Sequence, residues 1–217
     1  MKLVALAFAG AWLAALASGA QAQPGPDRHF YAGIDIGQAE LNPDHSEAHL
    51  GVRRERESTA WKLRFGYQFS PRFALEAAFT DFGEYDGAAM GIFVPTAGAA
   101  AVGALAAGDY TTSAKGMEVS AVGTWPLGES FYLSGTVGLQ RREFKSAFEA
   151  TTAYQPGFRV TDGDVATQLG LGVGFKLTDT FDIGVNWVGG RKLRGDTEYV
   201  ENASDPSMVT LGLRARF

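Results

Sequence analysis

The chain of 217 residues contains no cysteine. This absence excludes a disulfide framework and thiolate chemistry, and it leads us to expect no lipoprotein anchor. Histidine is nearly as scarce, because the sequence has only His29, His45 and His49. His45 and His49 could ligate a metal together with Asp44 and Glu47, but residues of this type in a polar loop are usually solvated. We therefore expect neither a metal nor a cofactor.

Long hydrophobic runs are also few, and the first one lies at the amino end. Lys2 precedes an apolar run over residues 3–17, and the small-residue sequence Ala20-Gln21-Ala22 follows it. This order is that of a secretory signal peptide, so we expect cleavage near Ala22 and a mature protein that begins at Gln23.

The remaining residues, 23–217, are enough for one domain. Within them the nearest candidate for a membrane-spanning helix is 87–108, which is charge-free but rich in Ala and Gly and interrupted by Pro95. We therefore expect no spanning helix. Without Lys2, 18 basic residues face 24 acidic ones, a net charge of −6 that argues against a nucleic-acid partner. The 28 glycines and 12% aromatic residues favour β structure.

Apolar and polar residues alternate in many segments. The last of them, Val209–Phe217, reads V-T-L-G-L-R-A-R-F, with one apolar and one polar face and an aromatic residue at the end. Similar alternation predicts eight strands, each about as long as the 9–11 residues that cross a bilayer obliquely. These predicted strands cover about 30–39, 59–69, 73–80, 115–125, 131–140, 164–177, 181–187 and 209–217.

The connections between these strands alternate in length. Three are tight, at Ser70-Pro71, 126–130 and 178–180, and the other four, which are polar or Gly-rich, cover roughly 40–58, 84–113, 145–163 and 191–206. Short turns at one end and long loops at the other are typical of transmembrane β-barrels, and an even strand count places both termini at the periplasmic end. A soluble β-sandwich is the alternative.

Aromatic residues on the apolar rows distinguish these two folds. Most of them lie beside the tight turns or the carboxy terminus, and a second, sparser set lies about six residues away, near the long loops. Two aromatic girdles that bound an apolar band are the arrangement of a membrane interface, which a soluble sandwich does not need. The two sets are Tyr67, Phe69, Phe73, Trp125, Phe131, Phe175, Phe181 and Phe217, then Trp61, Phe79 and Trp187.

The opposite, polar row carries charged residues, which an eight-stranded barrel places in a narrow lumen. Unpaired ions there would be costly, so we expect pairs of opposite charge, with Lys176 facing Asp182 across a turn and Arg64 close to Glu76. A packed polar plug that specifies the fold is one interpretation, and a gated ion path is the other. The predicted lumen charges are Asp35, Lys62, Arg64, Glu76, Glu118, Lys176, Asp182 and Arg214.

Two segments, F-A-L-E-A-A-F-T-D-F-G (73–83) and S-A-V-G-T-W-P-L-G-E-S-F-Y-L-S-G-T-V-G-L (120–139), resemble the OmpA-like family of eight-stranded outer-membrane barrels. The resemblance implies a Gram-negative outer-membrane location, reached through the periplasm. It also implies contact with outer-membrane lipid and lipopolysaccharide, and with the barrel-assembly machinery, for which Phe217 would be the signal. Since the sequence ends at Phe217, we expect no peptidoglycan-binding domain.

Two functions stay open at this point. The resemblance implies a structural or interaction barrel, whose extracellular loops contact an unknown partner in adhesion or envelope integrity. The alternative is a narrow, porin-like channel for small or apolar solutes. Arg53, Arg54 and Arg56 could grip lipopolysaccharide phosphates, although five nearby acids argue for a mixed, solvated loop tip. Some small barrels are deacylases with a His-Ser-Glu set on late strands. This chain lacks that set, so we expect no enzyme activity. We also expect a monomer.

Overall fold

The computed structural model describes residues 28–42, 53–54, 57–94, 104–150, 158–195 and 205–217. Within these ranges no helix reaches the length and hydrophobicity required to cross a membrane. The described residues form nine β-strands: β1 (His29–Asn42), β2 (Arg53–Arg54), β3 (Glu57–Ser70), β4 (Phe73–Val94), β5 (Ala104–Leu127), β6 (Phe131–Ala150), β7 (Phe158–Lys176), β8 (Phe181–Gly195) and β9 (Asp205–Arg216).

Eight of these strands close into an antiparallel barrel. Each long strand pairs with its neighbours in sequence, and β1 pairs with β9, for example at Asp35↔Gly212. The seam between β1 and β9, which closes the barrel, extends to the last residue. There Phe217 N donates to Phe30 O at 2.9 Å, and Phe30 N donates to Phe217 O at 3.1 Å. Among the described residues the short β2 pairs with β4 alone, and it is not one of the eight strands of the closed wall. The predicted eight-stranded up-and-down barrel is confirmed.

The three predicted tight turns all lie at one end of the barrel. Local hydrogen bonds hold two of them: Ser70 Oγ accepts from Phe73 N at 3.1 Å, and Thr178 Oγ1 accepts from Phe181 N at 2.9 Å. In the third turn Gly128 has a φ of +90°, a conformation that glycine adopts without steric cost. These turns and both ends of the described chain therefore share one rim, as the even strand count requires.

The opposite end differs from the prediction, because strands occupy much of the expected long loops. β4 and β5 have 22 and 24 residues, and they pair from Phe73↔Gly123 to Val94↔Ala104. Much of the Ala/Gly-rich stretch 87–108 is therefore a β-hairpin. The sequence pattern did not predict these strands, because Ala and Gly show no alternation of polar and apolar residues. The strands form nevertheless, because backbone hydrogen bonds between strands do not depend on side chains. Since 9–11 residues cross a bilayer, β4–β7 project well beyond it.

The two faces of the wall are inverted relative to a soluble protein. Apolar side chains point outward and are widely exposed, with Met117 at 69% and Leu171 at 67%, whereas Asp35 at 2% and Asp182 at 1% are buried inside. Val122 is an inward apolar residue that interrupts the polar row. An apolar exterior around a polar interior is the pattern of a lipid-facing barrel.

Candidate functional site

The lumen is the candidate site, because the barrel gathers its buried charges there. Nearest the tight turns, both carboxylate oxygens of Asp182 accept hydrogen bonds from Arg214, with distances of 2.9 to 3.1 Å. Arg216 Nη2 adds a bond of 2.6 Å and the Tyr132 hydroxyl one of 3.1 Å. The register explains the first contact, since Asp182 and Arg214 are directly opposite each other on β8 and β9. One buried carboxylate therefore holds two guanidinium groups.

Two tyrosine rings enclose the Arg214 guanidinium. Its Cζ lies 5.0 Å from the ring centre of Tyr31 and 5.1 Å from that of Tyr132, within the range of cation–π attraction. Each ring lies against a glycine of the inner row. A Cβ at Gly66 would overlap the ring of Tyr31, and one at Gly174 would overlap that of Tyr132. These two glycines therefore make room for the aromatic rings in the lumen.

A second group of polar side chains lies farther up the lumen around Asp35. Arg64 on the neighbouring strand contacts both of its carboxylate oxygens, with Nε–Oδ2 at 2.8 Å and Nη2–Oδ1 at 2.9 Å. Asn186 Nδ2, on β8, donates to Asp35 Oδ1 at 3.3 Å past the intervening strand β9. The expected neighbour of Arg64, Glu76, lies at 4.0 Å and instead accepts a 3.0 Å hydrogen bond from the Tyr31 hydroxyl. Asp35 is thus the main counter-charge of Arg64.

Lys62 and Glu118 form another ion pair in the lumen. The Lys62 Nζ to Glu118 Oε1 distance is 2.6 Å, and both side chains are almost fully buried. The two residues belong to β3 and β5, so their ion pair bridges β4, which lies between these strands. A charge pair of this kind fixes strand register, because neither ion can be left without a partner in the lumen.

Sequence reasoning missed a further buried pair, formed by Arg142 on β6 and Asp164 on β7. The pair is bidentate, with Nε–Oδ1 at 2.7 Å and Nη2–Oδ2 at 2.6 Å, and the Arg142 side chain has no exposed surface. The predicted strand ended at residue 140, before the charged run Arg141-Arg142-Glu143. Continued alternation through Gln140, Arg142 and Phe144 was the signal that could have extended it.

The prediction for Lys176 needs correction. The register does place it opposite Asp182, as expected. Its side chain is nevertheless exposed at the rim, and Asp182 is occupied by Arg214 and Arg216. Arg214 and Arg216 bind Asp182 in place of Lys176, because their guanidinium groups approach from inside the lumen and offer several donors in a planar fork. Lys176 therefore lies outside the charge network that the described residues form.

Apolar side chains fill the lumen near the projecting end. A β-bulge in β4 inserts Phe82 between Asp81 and Gly83, where Gly83 has a φ of +85°. The extra residue shifts the alternation, so that Phe82 and Tyr85, three positions apart, are both buried. The layer comprises Ala39, Ala60, Phe82, Tyr85, Ala114, Phe144 and Met208.

Little free volume separates the charged groups. A cavity lined by residues that include Asp35, Lys62, Glu76, Asn186 and Thr210 measures about 20 Å³. This is room for about one water molecule. The arrangement of the described residues can support the wall and bind a single water, but it is too tightly packed here for a solute.

Among the other predicted site residues, Phe217 lies away from the lumen. Phe217 contacts the outer aromatic surface, with its ring centre 6.3 Å from that of Phe65. Arg53 and Arg54 form β2, opposite Ala88 and Gly87 of β4. Arg56 lies outside the described residues, as do His45 and His49. Among the residues that the structure describes, no group of three or more His, Cys, Asp or Glu is placed to hold a metal ion.

Solved structures with the same architecture include three bacterial outer-membrane proteins. Neisserial surface protein A is 11% identical over 87% of this chain and 97% of its own, with a TM-score of 0.51. OprG from Pseudomonas aeruginosa is 14% identical over 86% and 95%, with a TM-score of 0.48. Ail, the attachment invasion locus protein of Yersinia pestis, solved with the heparin analogue sucrose octasulfate, is 15% identical over 87% and 99%, with a TM-score of 0.47. At these identities the likeness concerns the fold alone.

No curated protein sequence matches the chain at a significant level. The family model described as the outer membrane protein beta-barrel domain, in contrast, matches residues 6–217. This match covers nearly the whole chain, and it agrees with the closed eight-stranded wall, the apolar exterior and the charged lumen. The chain therefore belongs to the outer membrane protein β-barrel family.

Proposed function

We propose that the chain is a structural and interaction barrel of the outer membrane, and that it transports no solute and has no enzyme activity. The observation that carries this proposal is the filled lumen. Salt bridges such as Lys62–Glu118 and Arg142–Asp164 occupy it, and an apolar layer around Phe82 follows them toward the projecting end. A channel for small or apolar solutes would need a continuous open path, and buried ion pairs with little free volume between them oppose one.

The projecting strands support the interaction part of the proposal. β5 pairs with β6 as far as Gly108↔Ala150, and β6 pairs with β7 as far as Phe148↔Phe158. These strands form a wall on one side of the barrel, beyond the apolar band. Because its backbone groups are already paired, such a wall is a firm platform for contact with partners outside the cell.

Several further features belong to this proposal as predictions. Residues 1–22 direct export and are removed, Phe217 serves assembly by the barrel-assembly machinery, and the mature barrel is a monomer. Arg53, Arg54 and Arg56 remain a proposed contact for lipopolysaccharide, since they lie on or next to the segment that pairs with the projecting β4. For this chain we propose only a surface contact of the general kind that the name of Ail, the attachment invasion locus protein, indicates for that protein.

Planar-bilayer recording tests the absence of transport. The refolded protein should insert without unitary conductance. A double variant, Lys62→Ser with Glu118→Ser, removes the bridge across β4 and is expected to raise ion leakage, which shows that the assay detects an opened lumen. Steady single-channel currents from the unmodified barrel would reject the proposal and favour the narrow channel.

Hairpin replacement tests the interaction surface. Ala88 and Asp109 are paired across β4 and β5, so an Asn-Gly turn can replace residues 89–108 without separating the strands. The shortened barrel should still change mobility on boiling in a denaturing gel, while cells that carry it should lose attachment to surfaces. Unchanged attachment would show that the wall has no role in it.

A further inference from the structure

The outer face carries different charges on opposite sides of the barrel, immediately beyond the apolar band. On β1, β3 and β4 the exposed outward charges near this boundary are acidic, namely Glu40, Glu57 and Glu84. Glu40 and Glu57 are directly opposite each other in the register. Like charges in that arrangement repel each other and also repel anionic headgroups. This side is called the acidic sector below.

The other side, on β6–β8, presents two exposed arginines, and the exposed acid next to them, Glu143, is paired with Lys145 at 2.9 Å. Arg141 follows the outward residues Val137 and Leu139 on β6, and Arg191 follows Trp187 and Gly189 on β8. Among the described residues neither guanidinium has an acidic partner, whereas the nearby Lys115 is paired with Asp81 at 3.2 Å. This side, defined by Arg141 and Arg191, is called the basic sector.

The two arginines flank one strand and can reach a common ligand. In the register Arg141 lies opposite Val165 and Arg191 opposite Thr167, two positions apart on β7. Strand spacing and rise place their Cα atoms roughly 12 Å apart. Two side chains as long as arginine can converge across that distance on one phosphate or on two phosphates of the same headgroup.

An apolar groove lies on the wall below these arginines. It has a volume of about 490 Å³, and the small side chain of Ala121 lies on its floor. At its lower end the Trp125 ring packs over Gly123 and Gly135. Its upper end is lined by Leu169 and Trp187. Trp187 is four residues from Arg191 on the same strand, roughly 13 Å away. That distance matches the path from a headgroup at the membrane surface into the hydrocarbon of one leaflet.

We propose that the basic sector and the groove below it form a binding site for the phosphorylated lipid A part of lipopolysaccharide. The phosphates bind Arg141 and Arg191, and an acyl chain lies in the groove past Trp187 toward Trp125. At the height of Arg141 and Arg191, charge complementarity selects this side of the barrel, because the glutamates of the acidic sector at that height repel phosphate. Arg53 and Arg54 lie farther from the apolar band, opposite Ala88 and Gly87. The inference rests on the outer-membrane placement in the proposed function, and it names a different surface from Arg53, Arg54 and Arg56.

Native mass spectrometry of the folded barrel in detergent tests this site. The barrel is titrated with bisphosphorylated lipid A, with dephosphorylated lipid A and with phosphatidylglycerol. The double variant Arg141→Gln with Arg191→Gln should bind bisphosphorylated lipid A about tenfold or more weakly, since charge-assisted contacts to two groups are lost. The matched control, Glu40→Gln with Glu57→Gln, should bind at least as tightly as the unmodified barrel.

The groove has its own variant. Ala121→Leu partly fills the floor with an apolar side chain that still faces lipid, so it should weaken lipid A binding while heat-dependent gel mobility stays normal. Equal affinity for the unmodified barrel and the arginine variant would overturn the proposal. Equal binding of dephosphorylated lipid A or of phosphatidylglycerol would overturn the assignment to lipid A phosphates. If the unmodified barrel forms dimers instead of lipid adducts and Ala121→Leu abolishes these dimers, the groove binds a second copy of the chain. That result would also overturn the proposal.

The lipid titration and the bilayer recording can reject the lipid site and the proposed function separately. A conducting barrel would reject the proposed function while the lipid adducts remain. Loss of the adducts with a silent bilayer would reject only this site.

Discussion

Replacement of Asp182 by alanine is the sharpest test of the lumen network. Asp182 is 1% exposed and accepts from Arg214, Arg216 and Tyr132. Its removal leaves two guanidinium groups close together without their shared counter-charge. We therefore expect the variant to fold into a barrel that unfolds more easily in denaturant.

The magnitude follows from the exposure of the two arginines. Removal of one partner of a fully buried ion pair costs about 3–5 kcal/mol. Here the Arg214 and Arg216 side chains keep 11% and 18% exposure, so solvent screens part of the loss. Arg214 also keeps its contacts with the rings of Tyr31 and Tyr132. Together these effects place the expected cost at the lower end, about 3 kcal/mol.

Urea unfolding in lipid vesicles, followed by tryptophan fluorescence and gel mobility, measures this cost. With an ordinary urea dependence the midpoint should fall by roughly 1–3 M. Asp182→Asn keeps an acceptor for Tyr132, so its urea midpoint should lie between those of the unmodified barrel and Asp182→Ala. The matched control is Asp179→Ala in the adjacent turn, which loses an exposed carboxylate and should change stability by about 0–1 kcal/mol. Equal midpoints for Asp182→Ala and Asp179→Ala would refute a buried network and indicate a hydrated lumen.

Three further results are expected. Glu118→Ala should destabilise the barrel by about 3–5 kcal/mol in the same urea titration, whereas Lys62→Met with Glu118→Leu should cost far less, because the double change leaves no unpaired ion; equal losses would show that the pair is not coupled. Gly174→Val should displace the ring of Tyr132 and cost about 1–3 kcal/mol by overpacking, and an unchanged urea midpoint would contradict that contact. Phe217→Asp should lower the amount of barrel in isolated outer membranes, since it places a charge on the outer aromatic surface beside the seam; unchanged amounts would show that the position tolerates charge.

Much of the wall was predictable from local sequence. Alternation with a period of two decides which residues share a face, and it correctly placed Phe131 outside and Asp35 inside. Tight turns depend on residues close together in sequence, so the turns near Pro71 and Gly128 were predictable as well. Strand ends were harder to predict, because the Ala/Gly-rich stretch of β4 and β5 offers no alternation to read.

The partners within the lumen could not be read from the same pattern. Alternation assigns Asp35 and Arg64 to the inner face, but contact between them depends on the register of β1 against β3. The buried pair of Arg142 and Asp164 was missed for a related reason, since a charged run in sequence looks like a loop until a neighbouring strand supplies the counter-charge.

The sequence by itself determined the fold class, the strand count and the polarity of each face, because side-chain direction along a strand is a local property. Only the tertiary structure decided which charges meet, since closure of the barrel brings together residues as distant as Asp35 and Asn186, 151 positions apart. It also decided that Asp182 binds Arg214 and Arg216 rather than Lys176. Electrostatic partners depend on the distance and direction between side chains, and those are set by register and closure rather than by sequence spacing.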